Sequence, residues 1–198
     1  MDAKKPDRRT IKTRRALCAG LAELLATKEL HRITVQEIAD KADVNRVTFY
    51  KHYLDVYDLY DKLENEVITD LGLLVLEHET DADYMQHIID YIDDNRVIFT
   101  MVFSPYSTGT LRDKIDKMIG GTYLTIFRER FAEAASGSSA GAAGRENFEF
   151  ACHYHAMGCL AVIEKWVRGA YAQPKDLITK TISELDANFE AYLAAHFR

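Results

Sequence analysis

Within the seven residues Arg46-Val47-Thr48-Phe49-Tyr50-Lys51-His52 the chain gathers a guanidinium, a hydroxyl, a phenol, an ammonium and an imidazole. These groups donate hydrogen bonds, and phosphate oxygens and base edges are the acceptors they suit. Two short helices joined by a tight turn, over residues 34–53, must position them. Thr34 and Glu37 have the T-x-x-E spacing of a capping box, so the first helix starts there. Ile38, Ala39 and Ala42 give it a small apolar face. Asp43, Val44 and Asn45 break the periodicity, and Asn45 is a good N-cap for the second helix. That helix is expected to turn Val47 and Phe49–Tyr50 toward the core and leave Arg46, Thr48, Lys51 and His52 outward. Donors outside and an apolar anchor inside are what a helix needs to enter a major groove. Arg46 is the natural candidate for a bidentate contact to guanine. Phe49 reads as core, while Tyr50 admits two readings, a core aromatic or a phosphate contact.

The charge distribution points the same way. The 198 residues carry a net charge of −6. Residues 1–54 hold 12 Lys/Arg against 7 Asp/Glu, whereas residues 55–198 hold 13 against 24. A basic segment joined to an acidic body fits a DNA-binding head, because phosphate neutralisation supplies most non-specific affinity. An ordinary solvated charge pattern is the plainer alternative. With 47% hydrophobic residues and three prolines the composition suits a helical globular protein. Val97 to Leu111, the longest uncharged stretch, contains Pro105 and falls short of the roughly 20 apolar residues a membrane helix needs. No apolar signal core follows the charged N-terminus, so a cytoplasmic protein without membrane partners is expected. Cys18, Cys152 and Cys159 suggest reduced thiols and no disulfide framework.

Periodicity lays out an all-α chain of about nine helices. The first runs from Arg8 to Lys28, with Leu17, Leu21, Leu24 and Leu25 as its buried stripe. Arg8, Arg9, Lys12, Arg14 and Arg15 crowd its start, where positive charge opposes the helix dipole and is better explained by a ligand. Asp55 caps a long helix over 56–79, and one helix is expected from Asp81 or Asp83 to about Phe103. A short helix over 111–119, another over 123–134 and a mobile Ala/Ser/Gly loop over 135–144 follow. Helices over 145–170 and from Pro174 to about His196 complete the chain. The last has Ile178, Ile182, Leu185, Phe189 and Leu193 as a stripe.

The run Ile38-Ala39 … Val44-Asn45-Arg46-Val47-Thr48-Phe49-Tyr50-Lys51-His52-Tyr53 resembles the DNA-binding domain of the TetR/AcrR family of bacterial transcriptional regulators. The close resemblance covers about residues 8–62. It implies a three-helix helix-turn-helix head over 1–54 and a helical ligand-binding and dimerisation body over 55–198. It also implies a homodimer, joined through the last two helices, that binds a double-stranded DNA operator and a small-molecule effector. Carried over, Thr34 and Asn45 would contact phosphate, Arg46 and Thr48 would face base edges, Tyr50 and His52 would clamp the backbone, and Lys51 would lie near the groove. Two positions depart from the family pattern: Asp43 stands for the usual turn glycine, and Val56 for a phosphate-holding lysine.

The expected function is a ligand-responsive transcriptional regulator, a repressor released from a pseudo-palindromic operator. The alternative is an activator or co-activator module acting through a protein partner. His87, Phe99, Phe103, Tyr123, Phe127 and Tyr154 are the expected effector pocket. Cys152, His155 and Cys159 fall at i, i+3 and i+7, but the outer pair would be roughly 10 Å apart along a helix. They are read as packing, and no metal or cofactor is expected. Neither a Gly-rich phosphate loop, a nucleophile elbow nor an H-E-x-x-H pair is present, so no enzyme is expected.

Overall fold

The computed structural model describes residues 8–78, 83–118 and 141–196, with 141–145 as backbone only. Among these residues the regular elements are α1 (Arg8–Leu25), a 3-10 turn (Leu30–Arg32), α2 (Val35–Lys41), α3 (Arg46–Tyr50) and α4 (Val56–His78). They continue with α5 (Tyr84–Asp94), α6 (Arg96–Val102), α7 (Thr110–Met118), α8 (Gly141–Arg168) and α9 (Lys175–His196). The protein is all-α, as expected, with nine α-helices among the described residues. The division differs from the expected one. The helix anticipated over 83–103 breaks at Asn95 (φ −113°, ψ 31°), and its two halves join different compact units. Residues 141–144, expected in a loop, are helical. Alanine, which supplies two of these four positions, is the strongest helix former and offsets the cost of the glycines. The helix anticipated over 123–134 lies outside the described residues.

The first compact unit takes residues up to Val67 together with Asn95–Thr110. Leu17, Leu21 and Leu25 of α1 are fully buried against α2 and α6, with Ile38, Ala39, Phe49, Leu59 and Phe99. Gly20 lets α1 and α2 close up: a Cβ there would stand 3.1 Å from both Ile38 O and Lys41 Cβ. Ser104 Oγ donates to Leu25 O at 2.7 Å, and Leu30 N to Tyr106 O at 3.4 Å, which fastens the segment after α6 to the end of α1. Arg14, expected among residues serving a ligand, instead pairs with Glu66 and donates to the Tyr53 hydroxyl at 3.3 Å. It ties α1 to α4, so that cation has a structural use. This packing unit is larger than the DNA-binding stretch expected from sequence, because α6 and the first half of α4 complete the head's core.

The second unit comprises Ile68–Asp94 and the residues from Leu111 onward. Here α9 packs on α5 and on α8. Trp166, almost fully buried, donates from Nε1 to Gln173 O at 2.9 Å. The turn between α8 and α9 places Ala170 (φ 53°) and Tyr171 (φ 55°) in the left-handed region, and Tyr171 N closes it on Trp166 O at 3.0 Å. Lys175 reaches Asp90 at 2.6 Å, pinning the start of α9 to α5. The apolar stripe of α9 differs from the expected one at a single position. Ile178, Ile182 and Leu193 are buried, but Leu185 is 51% exposed and Asp186 is only 7% exposed.

Candidate functional site

In the first unit α2 and α3 build a helix-turn-helix. The expected capping box is complete. Thr34 Oγ1 accepts from Glu37 N at 3.3 Å, and Thr34 N donates to Glu37 Oε2 at 2.9 Å. Asp43 adopts the left-handed conformation (φ 51°) that the turn requires, and Val44 N closes it on Ala39 O at 3.0 Å. An aspartate tolerates this region better than most residues, so the missing glycine leaves the turn intact. Asn45 then caps α3, its Oδ1 accepting from Val47 N at 2.8 Å. Fully buried Phe49 anchors the helix from within.

The side chains that α3 holds outward are Arg46, Val47, Tyr50 and Lys51. Arg46 donates to the Tyr50 hydroxyl from Nη2 at 2.9 Å and from Nε at 3.3 Å, and its guanidinium carbon lies 5.4 Å from the Tyr50 ring centroid. Tyr50 itself stands edge-on to Phe49, with centroids 5.7 Å apart. Its ring thus packs on Phe49 while its hydroxyl accepts from the Arg46 guanidinium. Thr48 and His52 are half-buried, and the His52 ring lies 6.2 Å from that of Tyr53. Val47 corrects the sequence reading: expected near the core, it is 64% exposed. An outward apolar side chain is of the kind that can meet a thymine methyl in a major groove. Val56, where the family pattern has lysine, is buried and packs in the head.

Thr34, by contrast, is engaged with its own helix. Its hydroxyl also donates to Glu37 Oε2 at 2.8 Å, and Lys28 pairs with Glu37 at 2.6 Å. The Lys28 ammonium, followed by the Thr34 backbone and hydroxyl donors, draws the Glu37 carboxyl down to about 2. A depressed carboxylate stabilises the fold above its ordinary value of about 4.5 and loses that contribution as pH falls toward about 2. In acid titrations followed by circular dichroism, the Glu37→Gln chain is therefore expected to lose less stability over this window than the natural one. Parallel losses would remove Glu37 as the cause.

The second unit holds a partly open cavity of about 110 Å³ among α4, α5, α7 and α8. Its wall is almost wholly apolar, with Leu71, Met85, Ile88, Ile115 and Leu160 prominent. Tyr84 and Cys159 bring polar atoms to it. Behind them lies a buried polar cluster. His155 Nε2 and Tyr84 Oη bind opposite oxygens of Asp186, and Cys159 Sγ lies 3.7 Å from His155 Nε2. Burial, with Asp186 second, pushes the Cys159 thiol up to about 12, so the resting group is a protonated thiol. Asp186 and Tyr84 were missed from sequence. The spacing 178, 182, 186, 189, 193 was the available signal, since it sets an acid on the inward stripe of α9.

Four of the six residues of the expected aromatic pocket, His87, Phe99, Phe103 and Tyr154, are among the described residues. Phe99 and Phe103 stack at 6.3 Å within the first unit. Tyr154 is 81% exposed on α8, and exposed His87 stacks on His78 at 3.9 Å. Tyr123 and Phe127 lie outside the described residues. Helical spacing shows only that these aromatics sit on helices. Which face meets the interior is set by neighbours distant in sequence. Cys152 is fully buried beside Phe148 and Leu193 and does not join the group of ligand atoms formed by His155, Cys159 and Asp186. No helix among the described residues is long and apolar enough to cross a membrane.

The capped turn, the outward donors on α3 and the helical second unit define a helix-turn-helix transcriptional regulator. The family model for bacterial regulatory proteins of the tetR family matches residues 17–61. A second model, a transcriptional regulator C-terminal region, matches residues 79–187, more than half of the chain. The chain belongs to the TetR family of transcriptional regulators. None of the curated proteins matches it. Among solved structures it is similar to the fatty acid degradation regulator FadR from Bacillus halodurans, at 16% identity over 92% of this chain and 96% of that one, with a TM-score of 0.62. It is similar to the dihydroxyacetone kinase operon activator DhaS, at 15% identity over 95% and 99%, with a TM-score of 0.59. A tetR-family regulator from Streptomyces coelicolor matches at 15% identity over 94% and 82%, also with a TM-score of 0.59. At these identities the likeness is one of fold.

Proposed function

We propose that this regulator is a homodimeric repressor that leaves a pseudo-palindromic operator when a small apolar molecule enters the body cavity. The observation carrying the DNA reading is the outward face of α3, where Arg46, Val47, Tyr50 and Lys51 are exposed above a fully buried Phe49. Arg46 and Val47 read base edges, with Thr48 at the margin of that face. Tyr50, Lys51 and His52 hold the sugar-phosphate backbone, and Thr34 and Asn45 present helix N-termini to phosphate. Phosphate at Thr34 has to compete with the Glu37 carboxylate already seated there. The reading assigns no catalytic step to the protein.

Effector binding is assigned to the cavity instead of the aromatic set expected from sequence. An almost wholly apolar wall suits an apolar effector, and FadR of Bacillus halodurans, which shares the fold, is described as a fatty acid degradation regulator. At about 110 Å³ the cavity lies below the roughly 300–1,000 Å³ typical of ligand sites, so a larger effector must open it on entry. Because α4 contributes to the head's core and to the cavity wall, ligand and DNA affinities can be coupled through it. That coupling is reciprocal, so operator DNA must weaken effector binding by the same factor.

The test is selection from random DNA followed by gel shift. Enrichment of a palindrome, and its release by an apolar effector found by thermal shift, support the reading. Enrichment of no palindrome overturns it. A reporter driven from that operator distinguishes the second reading, activation, which the shared fold of the operon activator DhaS makes structurally reasonable.

The dimer is assigned to outward rows on α8 and α9. Phe150 is 72% exposed and Tyr154 81%, one turn apart on α8, while Leu185 and Tyr192 are exposed on α9. Such apolar rows mark association surfaces, and a two-fold symmetric contact suits them. Tyr154→Glu is expected to yield monomers in sedimentation and to lower operator affinity by about 10²–10⁴-fold, because the second half-site then gains nothing from tethering. A variant that remains dimeric would remove this surface from the interface.

A further inference from the structure

One buried cluster in the second unit has a composition that packing does not require. His155 and Cys159 stand one turn apart on α8, and Asp186 faces them from α9. Their ligand atoms all lie within 4.8 Å of one another. Cys159 Sγ is 3.7 Å from His155 Nε2 and 3.9 Å from Asp186 Oδ1. In a tetrahedral zinc centre, bonds of about 2.0–2.3 Å put ligand atoms roughly 3.3–3.8 Å apart. Two edges of the triangle are therefore close to the needed length. The third, the short His155–Asp186 hydrogen bond, has to lengthen for a cation to replace its proton.

The surroundings also fit. Tyr84 Oη donates to Asp186 Oδ2 and so leaves Oδ1 as the oxygen facing Nε2 and Sγ. The His155 ring is stacked on Phe189, with centroids 4.1 Å apart and planes within 7°. Contacts of this outer kind fix ligand orientation at metal centres. A thiolate, an imidazole and a carboxylate together favour zinc-like ions over magnesium or calcium.

We propose that His155 Nε2, Cys159 Sγ and Asp186 Oδ1 form a binding site for one divalent metal ion of the zinc class. Three protein ligands leave a fourth position for water or an exogenous group, and Cys159 also lines the cavity, so the ion would sit at the cavity wall. On loading, the Cys159 S–H bond breaks, the sulfur keeps the electron pair as the ligand, and the proton goes to solvent. The proton on His155 Nε2 moves to Nδ1 or to solvent, and no electron is transferred.

The experiment uses the full chain, stripped with a chelator and titrated with Co²⁺ as the spectroscopic probe. One equivalent per chain is expected to produce thiolate-to-cobalt charge transfer in the near ultraviolet and d–d bands in the visible, both abolished by Zn²⁺. Cys159→Ser should remove the charge-transfer band, and Asp186→Asn should weaken binding by about tenfold or more while keeping it. Cys18→Ser and Cys152→Ser should leave it unchanged. A chain that shows no thiolate band, or a band that survives in Cys159→Ser, overturns the site. X-ray absorption of the Zn²⁺-loaded natural chain needs no variant: one sulfur among nitrogen and oxygen neighbours is expected, and a sulfur-free shell overturns the proposal.

Discussion

Replacing Arg46 with alanine is expected to lower affinity for the selected operator by about tenfold to a hundredfold, within the roughly 1–3 kcal/mol that one bidentate base contact provides. Arg46 is exposed, and its structural partner is the Tyr50 hydroxyl, itself on the solvent face. Removing it leaves no buried group unpaired, so thermal stability should change by less than about 0.5 kcal/mol. The loss should fall on selectivity. Affinity for scrambled DNA, which depends on phosphate neutralisation, should drop far less. Gel shifts with the operator and a scrambled duplex, beside a melting curve, test this. Equal losses on both duplexes would make Arg46 a phosphate contact, and no loss on either would remove it from the interface.

How far the sequence carried the reading depends on the range over which each residue's role is decided. Thr34, Glu37, Asp43 and Asn45 act through atoms three or four residues away. Their caps and their turn were therefore legible, although the turn's left-handed residue is an aspartate. The all-α class was legible for the same reason, because helical periodicity is local. Val47 was misread, because which face of a five-residue helix meets the core is fixed by α1 and α2 and not by α3 alone. Arg14 was misread similarly: Tyr53 and Glu66, distant in sequence, turn a cation near the start of α1 into an interhelical tie. The break at Asn95 divides one amphipathic run between two compact units. The cavity required four helices to be placed together and the cluster around Asp186 three, and no spacing within one helix encodes that. For Asp186 the stripe of α9 held a partial signal: a leucine stands one position earlier, although the buried row passes through the acid.

The contrast between neighbours on α3 yields the last expected result. Phe49→Ala should destabilise the chain by about 3–5 kcal/mol, the range for emptying a buried aromatic site. Phe49 is fully buried, and its ring meets Tyr50 edge-on and Tyr53 at a centroid distance of 5.7 Å. The cavity left behind undermines the rings on either side of it. Tyr50 would lose the surface that holds its hydroxyl toward Arg46, and Tyr53 a packing partner beside the Arg14–Glu66 tie. DNA affinity should therefore fall for operator and scrambled duplexes alike, because the helix loses its placement, not one contact. Denaturant unfolding gives the stability change, and the pair of duplexes gives the selectivity. Lowering the temperature should restore binding to Phe49→Ala, because cooling repopulates the folded head, and should leave the defect of Arg46→Ala in place. If cooling rescued both variants equally, the division of α3 into an anchoring face and a reading face would fail.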